Sequence, residues 1–343
     1  MDLALIWAGL IAVSVFLYVV LDGFDLGVGI LFPFAQDARE RDQMIASIAP
    51  VWDGNETWLI LGGGGLLAVF PLAYSALMPA LYLPVLVMLI ALIFRGVAFE
   101  FRHHGAKRGR KFWTAAFFGG SLAAAAAQGV ILGGFVQGVA IDPVSKVFTG
   151  GPFDWLTPFS LLCGVSVAGG YTLLGAAWLQ FKTEGPLHER AQRWTRLAVL
   201  GVALGLLATS AATLTVNPQV TQRWGVSIAR GIYDLDRFFA LAWLPVLSAA
   251  CLGGVWRFVG RRPHLAAYQL AVLTFLLGFL GLAISLWPYA APFGLTIHEA
   301  AAAENALALM LAGAVVILPL ILGYTAFVYG LFRAKVSPDA SYH

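Results

Sequence analysis

Charge is what this sequence has least of: Asp, Glu, Lys and Arg make up only 11% of its 343 residues, while 60% are hydrophobic. A soluble core of this size has no use for so much apolar side chain, and the mean hydropathy of +0.82 marks a polytopic helical membrane protein. Cysteine is nearly absent. Cys163 and Cys251 stand in separate apolar runs without a CxxC spacing, which excludes a disulfide framework and a dithiol redox centre; both read as small buried hydrophobes. A basic leader is also missing, and the first apolar run is too long for a signal peptide, so no cleaved segment is expected. Gly62 to Gly65 lack the Lys-Ser/Thr that a phosphate loop needs, and their expected role is close helix packing. The net charge of +3 gives no reason to expect a nucleic-acid partner.

What is present is a series of long apolar runs. They predict an all-α polytopic membrane protein with nine transmembrane helices. The spans are expected near Leu5 to Phe32, Asp53 to Phe70, Ala76 to Phe101, Phe112 to Gly138, Leu156 to Phe181, Trp194 to Val216, Phe238 to Val259, Leu265 to Trp287 and Glu304 to Phe332. Spans two and three should form a tight hairpin whose turn holds Pro71 and Pro79. The longest connections, near 139–155, 217–236 and 288–303, lack linker composition, so residues 1–343 are expected to form a single integral membrane domain. Basic residues crowd one side: Arg39 and Arg41, Arg102 to Lys111, Lys182 to Arg196, Arg257 to Arg262, Arg333 and Lys335. The positive-inside rule then puts the N-terminus outside and the C-terminus in the cytoplasm.

Acids inside the spans are the main candidates for function. Asp22 and Asp25 share a helix face with Gly29, and Gly23 with Gly27 makes a small-xxx-small pair, so this face should pack on protein. An acid in a span costs about 2.5 to 3.5 kcal/mol, so two of them offset roughly ten aliphatic residues and call for a partner or water. In Pro50 to Trp58 (PVWDGNETW), Asp53 and Glu56 have capping-box spacing and the tryptophans suit an interfacial belt. The topology nonetheless gathers Asp22, Asp25, Asp53, Glu56, Arg95 and Glu100 at one membrane face, a pattern that fits either a proton path or static ion pairs between spans. Gln128 and Gln137, in span four, are expected to bond across helices or line a channel.

The stretches LDGFDLGVG (21–29), WDGNETW (52–58), LYLPVLVMLIALIFRGVAFEFR (81–102), GGFVQG (133–138), ISLWPY (284–289) and GYTAFVYGLFR (323–333), in that order, resemble subunit II of cytochrome bd quinol oxidase. The resemblance implies a bacterial inner-membrane heterodimer that oxidises quinol and reduces dioxygen to water. It implies two four-helix bundles plus one peripheral helix, with two haems b and haem d in subunit I and none ligated here. It further implies that Asp53 opens a cytoplasmic proton channel, that Asp22, Asp25 and Arg95 keep the entrance polar, and that Trp58 lies near an oxygen route. Glu56 is less fixed, because the family also has Gln there. A bound quinone and a small single-helix subunit are compatible with the family, though no motif places them.

The histidines suit a subunit that ligates no haem or metal. His103, His104, His188 and His264 fall in basic loops, His298 beside Glu299 in an outer loop where a surface contact is expected, and His343 at the end. Two other classes remain. A proton-coupled secondary transporter would place its site near the midplane in matching positions of two repeats, whereas these acids crowd the first three spans. A purely structural scaffold would need no acid cluster.

Overall fold

The computed structural model describes residues 2–104 and 107–338; the side chains of residues 103–108 lie outside that description, so the expectations for His103, His104 and His343 fall on undescribed groups. The chain runs through α1 (Leu3–Leu31), a 3-10 turn at Phe32–Phe34, α2 (Ala38–Ile48), α3 (Trp52–Val69), α4 (Pro71–Ala80), α5 (Tyr82–His104) and α6 (Lys107–Gln137). It continues through α7 (Pro158–Lys182), α8 (Pro186–Val216), α9 (Pro218–Trp224), the ribbon β1 (Val226–Ser227) and β2 (Gly231–Ile232), and α10 (Leu235–Phe258). Last come α11 (Leu265–Leu286), β3 (Tyr289–Ala291) and β4 (Leu295–Thr296), α12 (Ile297–Ala300) and α13 (Glu304–Leu331). Both ribbons are antiparallel pairs within the connections.

Eight of the described helices are long and apolar enough to cross a membrane, and a ninth span results if α3 and α4 count as one broken helix. The expected tight hairpin at Pro71 and Pro79 is therefore a correction. Pro71 has no N–H to continue the α3 ladder and instead starts α4, whose axis turns 119° from that of α3. Pro79 sits inside α4, and the third span begins at Tyr82 instead of near Ala76. Two spans also start earlier than the apolar pattern suggested, α6 at Lys107 and α8 at Pro186, because polar first turns extend below the hydrophobic stretch. Several helix starts carry conventional side-chain caps. The Asp2 carboxylate accepts the Leu5 N–H ahead of α1, and Thr157 with Ser160 forms a capping box ahead of α7.

Helix α1 lies at the centre, packed on α3, α6, α7 and, more sparsely, α13. Its glycines set the spacing. A Cβ at Gly27 would lie 1.8 Å from the Tyr171 carbonyl oxygen, and one at Gly175 would lie 2.4 Å from the Gly27 carbonyl carbon, so α1 and α7 meet backbone to backbone. Gly29 faces Ser121 on α6. The main core draws on α1, α2 and α5 to α8, with α10 and α11; a smaller one at the opposite end joins the start of α1 to α4, β3, β4, α12 and α13. Gly62 and Gly65 of the glycine run approach α1 at Val15 and Ile11, whereas Gly63 and Gly64 face open space. Cys163 and Cys251 are free and buried.

Candidate functional site

The acid-bearing end of α1 is buried by these close approaches, and three spans direct side chains into it. Asp22 and Asp25 from α1 and Arg95 from α5 are essentially inaccessible, at 0%, 0% and 1% exposure. Arg95 Nη2 donates to Asp22 Oδ1 at 2.6 Å, Nη1 donates to Glu56 Oε1 of α3, and Asp25 Oδ2 lies 3.9 Å from Nη2. Glu56 retains 29% side-chain exposure. The guanidinium is also stacked over the Trp52 ring, 5.4 Å from its centroid. Arg95 reaches this depth because α5 and α6 are close: a Cβ at Gly120 would lie 2.7 Å from the Ala91 carbonyl oxygen and 3.0 Å from the Arg95 nitrogen.

Asn55 completes the second carboxylate. Its Nδ2 donates to Asp25 Oδ2 at 2.7 Å and to the Leu21 carbonyl at 3.2 Å, and its Oδ1 accepts the Tyr329 hydroxyl of α13 at 2.9 Å. Three carboxylates thus surround one guanidinium. Asp22 Oδ2 and Asp25 Oδ1 are buried without a hydrogen-bond partner, so the cluster has acceptor capacity that a proton or water can use. Arg95 stays charged and cannot relay a proton. Its capacity is to hold three acids from α1 and α3 in one place, with an exposed acidic neighbour at the edge. That neighbour is Asp53, on the surface in the first turn of α3 and close enough to act electrostatically on Glu56.

Of the residues expected in the cluster, Asp22, Asp25, Glu56 and Arg95 meet, and Asp53 stands at the edge. The capping-box spacing of Asp53 and Glu56 is not used: α3 starts two residues earlier than such a cap requires, its N-cap is Val51, and no side chain caps it. Glu100 is exposed, and five residues beyond Arg95 it projects from another side of α5. Gln137 is far along α6, where its Oε1 accepts the Thr157 hydroxyl at 2.7 Å and ties α6 to the start of α7. Gln128 does bond across helices, to Tyr18 and Tyr171. Trp58 is buried, and its carbonyl accepts the Ser14 hydroxyl at 2.8 Å.

Sequence reasoning missed Asn55, Tyr329, Tyr18 and Tyr171. Asn55 carried a usable signal, a polar residue between two acids at the head of a span. Tyr329 did not, since 274 residues separate it from its partner.

No group of three or more His, Cys, Asp or Glu poised to hold a metal occurs among the described residues. The described imidazoles stand in the connections or at helix starts: His188 pairs with Gln192 at 2.8 Å and lies edge-on to His264, and His298 pairs with Asp2 at 2.8 Å. The contact expected at His298 is thus made to Asp2, while Glu299 caps α12 through Thr296 and faces Lys146 at 3.6 Å.

Residues 3–332 match the family model described as cytochrome bd terminal oxidase subunit II. Cytochrome bd-I ubiquinol oxidase subunit 2 of Escherichia coli strain K12 is 32% identical over 373 residues, covering 98% of this chain and 96% of that protein. Cytochrome bd ubiquinol oxidase subunit 2 of Bacillus subtilis strain 168 is 29% identical over 344 residues, covering 97% and 96%. In fold the chain is similar to one in the structure of bd oxidase from Geobacillus thermodenitrificans, with a TM-score of 0.74 at 20% identity over 97% of this chain and 99% of that one.

Proposed function

This chain belongs to the cytochrome bd terminal oxidase subunit II family, and from that premise we propose that it pairs with a haem-bearing subunit I and admits the protons used to reduce dioxygen. It is a multi-pass protein of the bacterial inner membrane, and family membership favours the oxidase over the transporter. The full reading is a quinol:oxygen oxidoreductase, with ubiquinol or menaquinol as donor.

The observation that carries the proton role is the buried pair Asp22 and Asp25 beside Arg95, which continues outward through partly exposed Glu56 on the same arginine to exposed Asp53. On the sidedness expected from the basic residues, Asp53 faces the cytoplasm. A carboxylate there collects a proton, Glu56 passes it below the surface, and Asp22 and Asp25 hold it where Arg95 and Asn55 fix their geometry. The two haems b and the haem d expected in subunit I supply electron transfer and oxygen chemistry.

Pairing is supported by the outer face of α3. Glu56, Ile60, Gly63 and Leu67 lie on one stripe; Ile60 is 74% and Leu67 51% exposed, and Gly63 meets nothing within 4 Å. A half-exposed acid on that stripe is poorly suited to lipid, so a protein surface is the better cover. For oxygen, Trp58 stands three residues before Leu61 on α3, and Leu61 lines an apolar cavity of about 120 Å³ between α1, α3 and α13 together with Ile11, Gly65 and Ile317.

The test is to isolate the tagged chain from its native membrane and record the visible spectrum. Haem b and haem d bands should accompany it, together with quinol-dependent oxygen consumption. A colourless chain that transports solute alone in liposomes would refute the reading.

A further inference from the structure

Two tyrosines and an amide sit one helical turn deeper than the acid cluster, outside the path from Asp53 to Asp22. Tyr18 precedes Asp22 by four residues on the same face of α1, and its hydroxyl lies beside that carboxyl. Gln128 Nε2 of α6 donates to the Tyr18 hydroxyl oxygen at 2.7 Å, and Gln128 Oε1 accepts the Tyr171 hydroxyl of α7 at 2.6 Å. Tyr18 and Tyr171 are both buried, and Tyr171 is stacked on Phe275 of α11. The backbone contact at Gly27 and Gly175 keeps α1 and α7 from separating, so the amide is held between two fixed rings.

A hydroxyl has one hydrogen to give. With the Gln128 N–H occupying a lone pair of Tyr18, the Tyr18 hydrogen is free to turn toward Asp22, one helical turn away on the same face, whose buried Oδ2 has no hydrogen-bond partner among the described residues. Tyr171 fixes which end of the amide faces Tyr18, because its own hydroxyl needs the carbonyl end. An amide relays a proton poorly, since it must pass through an imidic acid, so Gln128 does not extend the path. It sets the polarity of the last hydroxyl on it.

We propose that Gln128, oriented by Tyr171, is a positioning residue for proton uptake: it keeps the Tyr18 hydroxyl turned as a donor toward Asp22. The proposal rests on the proton role of the Asp53 to Asp22 cluster. Arg95, Asp25 and Glu56 are charged groups around Asp22, and Asn55, bonded to Asp25 and to the Leu21 carbonyl, is an uncharged polar side chain beside them.

The experiment uses the purified complex at matched haem content and compares Gln128→Met, Gln128→Leu, Tyr18→Phe, the Tyr18→Phe/Gln128→Met double variant and Asp53→Asn. Oxygen consumption and proton uptake should fall about three- to tenfold in each Gln128 variant and in Tyr18→Phe, with a displaced pH profile, which simple loss of packing would not produce. The double variant should be no slower than Tyr18→Phe, because Gln128 acts through Tyr18. Gln128→Met keeps the side-chain length and so assembles even if Gln128→Leu does not. Wild-type rates and pH profile in Gln128→Met, or effects that multiply in the double variant, overturn the proposal. If those occur while Asp53→Asn is slow, the positioning role alone fails; if Asp53→Asn is also silent, the proton reading fails with it.

Discussion

At the scale of single residues, Arg95 carries the most consequence. Among the described residues it is the one cation in contact with three acids, and its planar fork serves Asp22 and Glu56 at once. Arg95→Leu strands buried carboxylates, a loss of about 3 to 5 kcal/mol, and should sharply reduce the complex recovered from membranes. Arg95→Lys keeps the charge but not the fork and should recover only part of it. Asp22, Asp25, Glu56 and Arg95 were legible in the sequence because ionisable groups are rare in spans, and counting spans brings their ends together. The amide and hydroxyl partners were not, since Asn, Gln and Tyr are common enough in membrane helices that only the three-dimensional contact singles them out.

At the scale of elements, two contacts define what the helices tolerate. Gly27 has no room for a methyl group against the Tyr171 carbonyl, so Gly27→Ala must push α1 from α7 and should cost about 1 to 3 kcal/mol, seen as a lower melting temperature and lower yield. The small-xxx-small pair at Gly23 and Gly27 announced this contact, although not which helix would fill it. The start of α1 behaves differently. The Asp2 carboxyl is held below the ordinary value by the hydrogen bond from His298, helped by the Leu5 N–H. A depressed folded-state value means that this contribution is present above the ordinary carboxylate range and is lost as pH falls through the depressed value. Thermal stability measured across that range should show a small acid-side loss that His298→Ala reduces. The break between α3 and α4 was hidden in sequence because Pro71 and Pro79 fit a loop as well as they fit a short helix begun by one proline and containing the other.

At the scale of the whole molecule, the nine apolar runs placed the spans, and the polar first turns and interhelical ribbons were lost between them because hydropathy does not register such short amphipathic pieces. The α3 stripe gives a prediction for the assembly. A Cβ at Gly63 meets nothing within 4 Å, so Gly63→Leu should leave insertion unchanged, yet it should lower the amount of haem-bearing partner that copurifies. The account as a whole rests on Asp53 being a proton entrance. It is exposed, it lies in the first turn of α3, and it does not cap that helix, so the capping explanation does not compete. The decisive measurement is steady-state oxygen consumption by the purified Asp53→Asn complex at matched haem content. Normal assembly and spectra with turnover reduced about tenfold or more, and proton uptake slowed in step, are predicted; wild-type rates across the working pH range would contradict the account.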